Sequence, residues 1–115
     1  MSQQRRRGNE AKPQAYAPVF AALGDETRLS LVRQLSTGEP RSISQLTEGF
    51  KLTRQAITKH LRVLERAGIV HAVREGRESL FEFDPASLQP VKNYLDVVSE
   101  QWDQALARLK SFVEG

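Results

Sequence analysis

A mainly α-helical fold carrying a small β-hairpin is predicted by three features of this 115-residue chain. Apolar residues recur at helical spacing up to Gly68, the period drops to two between Ile69 and Phe83, and a long apolar seam resumes beyond Pro90. The predicted order is α-α-α-α-β-β-α in one domain spanning residues 15–115. A polar basic arm over residues 1–14 precedes it, contains Arg5-Arg6-Arg7 and reads as disordered. Such an arm can lie along phosphates or enter a minor groove, and equally can be a solvated tail or partly a cloning remnant.

Order is expected from Ala15. Pro18 suits a first helical turn, with Phe20 and Leu23 on the apolar side before Gly24 breaks the segment. Asp25 caps a second helix, Glu26 to about Ser36, with Leu29, Val32 and Leu35 as its core residues. Gly38 and Pro40 end it.

Residues 42–68 organise the rest. Ser42 with Gln45 three places on is a capping box that opens a short helix, and Gly49 closes it where a left-handed residue costs least. Thr53 can cap a second helix running to Gly68. At about 100° per residue, Ile57, Leu61 and Leu64 share one side of it, the core face. Gln55, Thr58, Lys59, Arg62 and Arg66 share the opposite side, without an acid among them. These are the side chains that hydrogen-bond base edges and phosphates. A short helix, a tight turn and a second helix with this face is the layout of a DNA-reading helix-turn-helix. The bland alternative is the solvated face of an ordinary amphipathic helix.

Ile69–Arg74 and Ser79–Phe83 read as two strands, with Val73, Phe81 and Phe83 packing inward. The connection Arg74-Glu75-Gly76-Arg77-Glu78 supplies glycine where positive φ is needed. A basic hairpin directly after a reading helix is a wing, placed to meet phosphates or the minor groove. Asp84-Pro85 stops the second strand, and the main C-terminal helix runs from about Pro90 to Val113. Leu88, Leu95, Trp102 and Leu109 are spaced by seven, beside a companion row of Val91, Val98, Ala105 and Phe112. Such a helix spans about 36 Å, more than a domain this small can cover, so its seam calls for a partner. The simplest partner is a second copy related by a two-fold axis. An intramolecular core is the alternative.

Charge is unevenly distributed. Residues 41–77 carry eight basic and three acidic side chains, whereas residues 78–115 carry three and seven. A basic middle beside an acidic tail is the footprint of a polyanion-binding protein. No apolar run approaches the ~18 residues of a membrane span, and the first residues lack a signal-peptide core. The absence of cysteine excludes disulfides, a thiol nucleophile and thiolate metal sites. The default compartment is the cytoplasm, in association with the nucleoid.

Two stretches carry a more specific resemblance. Phe20-Ala21-Ala22-Leu23-Gly24-Asp25-Glu26-Thr27-Arg28-Leu29 and Ala56-Ile57-Thr58-Lys59-His60-Leu61-Arg62-Val63-Leu64-Glu65-Arg66-Ala67-Gly68-Ile69-Val70, with the Arg74-Glu75-Gly76-Arg77 wing, resemble ArsR/SmtB-type winged helix-turn-helix repressors. The resemblance covers residues 16–113. It implies a homodimer built on the first and last helices that occupies an inverted repeat in double-stranded DNA. By position it implies Arg54, Gln55, Thr58, Lys59, His60 and Arg62 as base readers. Arg41, Ser42, Ser44, Thr53, Arg66, Arg74 and Arg77 fall at backbone and wing positions. Phe20, Leu88, Val91, Leu95, Val98, Trp102 and Leu109 fall at the dimer interface.

The chain departs from relatives that sense metal through a cysteine pair or through Asp and His on the last helix. That helix offers Asp96, Glu100 and Asp103 without histidine, and carboxylates alone bind transition metals weakly. No metal and no cofactor are therefore expected. No catalytic constellation can be assembled, so an enzyme is not expected either. The rival reading is a winged-helix protein-interaction module without sequence-specific DNA binding. The signal that would release DNA, whether a small organic ligand between the C-terminal helices, a partner protein or nothing beyond expression level, has no counterpart in the sequence.

Overall fold

The computed structural model describes residues 13–115; the expected basic arm lies outside the described residues as far as residue 12. Helices α1 (Pro13–Leu23) and α2 (Glu26–Leu35) lead into strand β1 (Arg41–Ser42), the short helix α3 (Ile43–Thr47) and the longer helix α4 (Arg54–Arg66). Strands β2 (Val70–Glu75) and β3 (Glu78–Phe83), a 3₁₀ turn (Pro85–Leu88) and helix α5 (Gln89–Glu114) complete the chain. The expected sequence of helices, hairpin and long last helix is present.

Side-chain oxygens set the helix starts. Asp25 accepts the backbone N–H of Arg28, Thr53 that of Ala56, and Ser42 and Gln45 satisfy each other reciprocally as a complete capping box. Helix α4 ends in a Schellman arrangement: Ile69 N–H reaches the Leu64 carbonyl at 3.0 Å and Gly68 N–H that of Glu65 at 2.9 Å. Gly68 supports this with φ of 80°, which a side chain would resist. The chain leaves the helix pointing into the sheet, and Ile69 and Val70 are buried at once.

The core lies where α2, α3, α4 and β3 meet. Leu31, Leu35, Leu46, Ile57, Leu61 and Leu64 are wholly inaccessible, with Phe81 and Ala22 nearly so. The expected inward face of α4 is therefore correct. The expected face of α2 is partly wrong: Leu29 is 53% exposed, and Leu31 takes the core position. Leu31 and Leu35 lie one turn apart, and that pair is the stripe α2 buries.

Several other expectations need correction. Helix α1 starts at Pro13, two residues into the expected arm, so Pro18 sits inside the helix rather than in its first turn. Gly49 is not among the glycines with positive φ, so the left-handed residue expected to close α3 is absent there. The sheet has three strands in the order β1-β3-β2. Arg41 pairs with Phe81 and Ser42 with Leu80, antiparallel. The capping residue Ser42 must be extended (φ −79°, ψ 163°), and the extended backbone it imposes meets the open edge of β3.

Two residues expected at a dimer interface belong to the chain's own interior. Val91 is 5% exposed, and Leu88, in the 3₁₀ turn, packs against the core. Tyr94 also turns inward, its ring 5.0 Å from that of Tyr16 and 6.4 Å from that of Phe20, which attaches the start of α5 to α1. Beyond Val98, which is half-buried, α5 is exposed to its end. At 26 residues it is about 39 Å long, and the radius of gyration is 18.3 Å, against about 13 Å for a compact chain of this size.

Two outcomes test this description. Leu61→Ala should lower unfolding free energy by about 2–5 kcal/mol in urea titrations, because it empties a fully enclosed site under α4. Asp25→Ala should lower the melting temperature at neutral pH by an amount that shrinks in acid. The Arg28 backbone N–H, aided by the charge of the Arg28 guanidinium, holds the Asp25 carboxyl below its ordinary pKa. A depressed carboxylate contributes stability above its unfolded pKa and loses it as pH falls through the folded one. Melting curves of both proteins between pH 7 and pH 2 should therefore converge at the acid end.

Candidate nucleic-acid interface

Because Ile57, Leu61 and Leu64 are pinned inward, the opposite side of α4 must face solvent. Gln55, Lys59 and Arg62 are exposed there, and Arg54 is exposed at the first turn, nearer the wing. Thr58 is half-exposed, its hydroxyl donating to the Arg54 carbonyl at 2.8 Å, a bond within the helix. Arg62 Nη1 donates to Glu65 Oε1 at 3.3 Å; Glu65 stood outside the face read from the sequence, yet it holds one of that face's cations.

The hairpin stands beside the start of α4. Its loop is Gly76-Arg77, between the paired Glu75 and Glu78. Gly76 has φ of 63°, the pattern of a type II′ turn with glycine first. A cleft of about 190 Å³ separates the wing from the helix-turn-helix and is lined by Ser42, Ile43, Ser44, Arg54, Arg77, Glu78 and Ser79. Four residues singled out from sequence, Ser42, Ser44, Arg54 and Arg77, thus converge on one concavity. Arg74 is exposed on β2, opposite Ser79. Thr53 is exposed at the mouth of α4, with its hydroxyl engaged as the cap.

Two predicted contacts, Arg41 and His60, are placed differently, and Arg66 stands apart from the wing cleft. Arg41 is half-buried, and its Nε lies inside the fold without a hydrogen-bond partner among the described residues. Arg66 stands at the far end of α4, on a shallow groove of about 430 Å³ that Pro18, Ala21, Ala22, Arg28, Val63 and Ala67 also line. His60 turns towards α2 instead of the outer face. Its Nδ1 is 3.1 Å from Arg28 Nη1 and 3.8 Å from Asp25 Oδ2, and its side chain is 22% exposed. A turn of about 100° per residue puts His60 within 40° of Leu64, so the helical wheel already placed it inward. Arg28, absent from the sequence-derived site, also donates from Nε to the Ala22 carbonyl at 2.6 Å. A motif that looks like a surface Asp-Glu-Thr-Arg run is a junction between three helices.

Elsewhere, His71 Nε2 meets Glu82 Oε1 at 2.9 Å across the β2–β3 ladder, an exposed cross-strand pair. Among the described residues no three His, Cys, Asp or Glu side chains gather as a metal site. No helix there is long and apolar enough to cross a membrane.

Comparisons with known proteins agree with this geometry. A helix-turn-helix domain profile matches residues 23–73, which run from the α1–α2 junction into β2. The chain is 39% identical over 83 residues to the HTH-type transcriptional regulator YuzN of Bacillus subtilis, covering 67% of this chain and 87% of that protein. It is 27% identical to the HTH-type transcriptional repressor SmtB of Mycobacterium tuberculosis over 80% of this chain and 66% of the other. Among solved structures, an ArsR-like transcriptional regulator from Rhodococcus sp. RHA1 superimposes with a TM-score of 0.67 at 38% identity, over 84% of this chain and 90% of that one. A core that fixes one helix, a basic face turned outward from it and a wing beside its start are the working parts of a DNA-binding regulator, and the chain belongs to the ArsR/SmtB-type family of winged helix-turn-helix transcriptional regulators.

Proposed function

We propose that the protein represses transcription as a two-fold dimer on an inverted-repeat operator, with α4 in the major groove and the wing on the flanking backbone. The observation that carries this reading is the division of α4. Its inner stripe is wholly buried, while Gln55, Lys59 and Arg62 are exposed on the opposite side and Arg54 lines the cleft beside the wing. Gln55 and Arg62 are suited to base edges, Gln to adenine and Arg to guanine. The Ser42, Ser44, Arg54 and Arg77 cleft is suited to a phosphate oxygen, because hydroxyls and guanidinium groups converge there. Repression is supported by the likeness to a named repressor.

The dimer is supported by α5. Trp102 is 62% exposed, Leu106 62%, Leu109 57% and Phe112 84%, all on a helix whose first turns alone are covered. Exposed large apolar side chains in a continuous row mark an interface. Leu95 and Phe20, 41% and 37% exposed, extend the row towards α1. With Leu88 and Val91 committed to the chain's own core, the interface is centred further along α5 than the sequence placed it. A docking module without sequence-specific DNA binding remains the rival, and it has no use for the outer face of α4.

Three measurements test the reading. Trp102→Glu should convert the dimer to monomer in sedimentation at micromolar concentration and abolish operator binding; a monomeric wild type with full operator affinity would refute the dimer. Gln55→Ala or Arg62→Ala should each weaken operator binding by about 1–3 kcal/mol and relax base preference at particular positions. Arg77→Ala should weaken operator and random DNA alike and flatten the log–log salt dependence, by about two units for the two wings of a dimer. If Arg77→Ala changed base preference while Arg62→Ala changed only the salt slope, the roles of helix and wing would be exchanged.

A further inference from the structure

We propose that Arg28 is a positioning residue for DNA reading, which latches the reading helix α4, through the imidazole of His60, to the junction of α1 and α2. Arg28 has three anchors. Its backbone N–H donates to the Asp25 carboxylate at 3.1 Å, its Nε to the Ala22 carbonyl at 2.6 Å and its Nη1 to His60 Nδ1 at 3.1 Å. One side chain therefore joins the last turn of α1, the first turn of α2 and the middle of α4.

The chemistry fixes the roles in that contact. A guanidinium has donors only, so His60 Nδ1 is the acceptor and the imidazole carries its single proton on Nε2. Asp25 Oδ2, at 3.8 Å from Nδ1, stands behind the same contact and is already committed as the cap of α2. The anchors beneath α4 are apolar: Ile57, Leu61 and Leu64 sit wholly buried there. Burial of such residues fixes the depth of a helix but is nearly indifferent to small rotations and slides, because the hydrophobic effect has no direction. A hydrogen bond does have direction and weakens steeply with misalignment. The Arg28–His60 bond is thus a directional tie between α4 and the α1–α2 junction, and it lies next in sequence to Lys59 and two residues from Thr58 and Arg62. Rotation of α4 by even part of a turn would swing those side chains off their base edges.

This proposal rests on α4 being the DNA-reading helix, and the experiment separates the two. The intact protein is used to select a duplex from a random-sequence pool, and its affinities for that duplex and for random DNA are measured for wild type, Arg28→Lys, His60→Leu, His60→Asn and the Arg28→Lys/His60→Leu double variant. Lysine keeps the charge but cannot hold the Ala22 carbonyl and His60 together. Asparagine places its Oδ1 close to where imidazole Nδ1 accepts. Arg28→Lys and His60→Leu should each reduce the ratio of selected to random affinity by about tenfold, the worth of one hydrogen bond to a charged group. Affinity for random DNA and its salt slope should not change. His60→Asn should retain most of the ratio, and the double variant should be no worse than either single one.

An unchanged ratio in both single variants overturns the latch, as do additive losses in the double variant. So does a change of base preference in the His60 variants that Arg28→Lys does not share, since His60 would then be touching DNA itself. If Arg28→Lys fails to fold by circular dichroism, the contrast between His60→Leu and His60→Asn decides alone: equal losses in the two overturn the latch. Failure of the wild type to select any duplex would instead remove the DNA-reading assignment on which the latch stands.

Discussion

Everything in this fold depends on the requirement that one helix be floor and face at once. Ile57, Leu61 and Leu64 leave α4 no freedom to sink or lift, because each is fully enclosed by α2, α3 and the sheet. The same burial commits the opposite side to water, and the side chains there are cationic or amide-bearing. A helix whose polar side held acids would bury equally well and would repel DNA. The stability of the domain and its capacity to meet a polyanion are therefore set by two interleaved sets of residues on thirteen positions.

The second constraint is the length of α5. Its first turns are bound to the domain through Val91 and the Tyr16–Tyr94 contact, and the remainder projects from it. A lone chain thus carries an apolar row it cannot cover, in a molecule measuring 62 by 43 by 21 Å. Reading a two-fold operator needs two copies of α4 held at a fixed spacing. A rod rooted rigidly in each domain and free along its outer half meets that need, because whatever joins the outer halves also orients the rooted ones.

Much of this was legible in the sequence. The caps at Asp25, Ser42 and Thr53 and the glycine at Gly68 are local devices, and local chemistry marks helix ends reliably. The inward face of α4 followed from its period. What was not legible depended on contacts distant in sequence. Strand β1 exists only because β3 offers an open edge beside Ser42, and two residues have no period to read. Leu29 and Leu31 are equally apolar, and only the neighbours of α2 decide between them. The same holds for Leu88 and Val91, whose spacing fits a seam although the fold consumes them. The partners of His60 were not legible either, because Arg28 and Asp25 lie more than thirty residues away in sequence.

The short pairing of β1 with β3 has a mechanical consequence. Hydrogen bonding along that edge ends at the Ser42–Leu80 pair, whereas β2 and β3 remain joined as far as Glu75 and Glu78. The wing is therefore clamped on both sides near Phe81 and on one side only towards its tip. It is built as a cantilever: a root continuous with the capping residue of α3, and a free end carrying Arg74 and Arg77. Bending at the tip costs no core contact, so the arm can move while α4 stays seated.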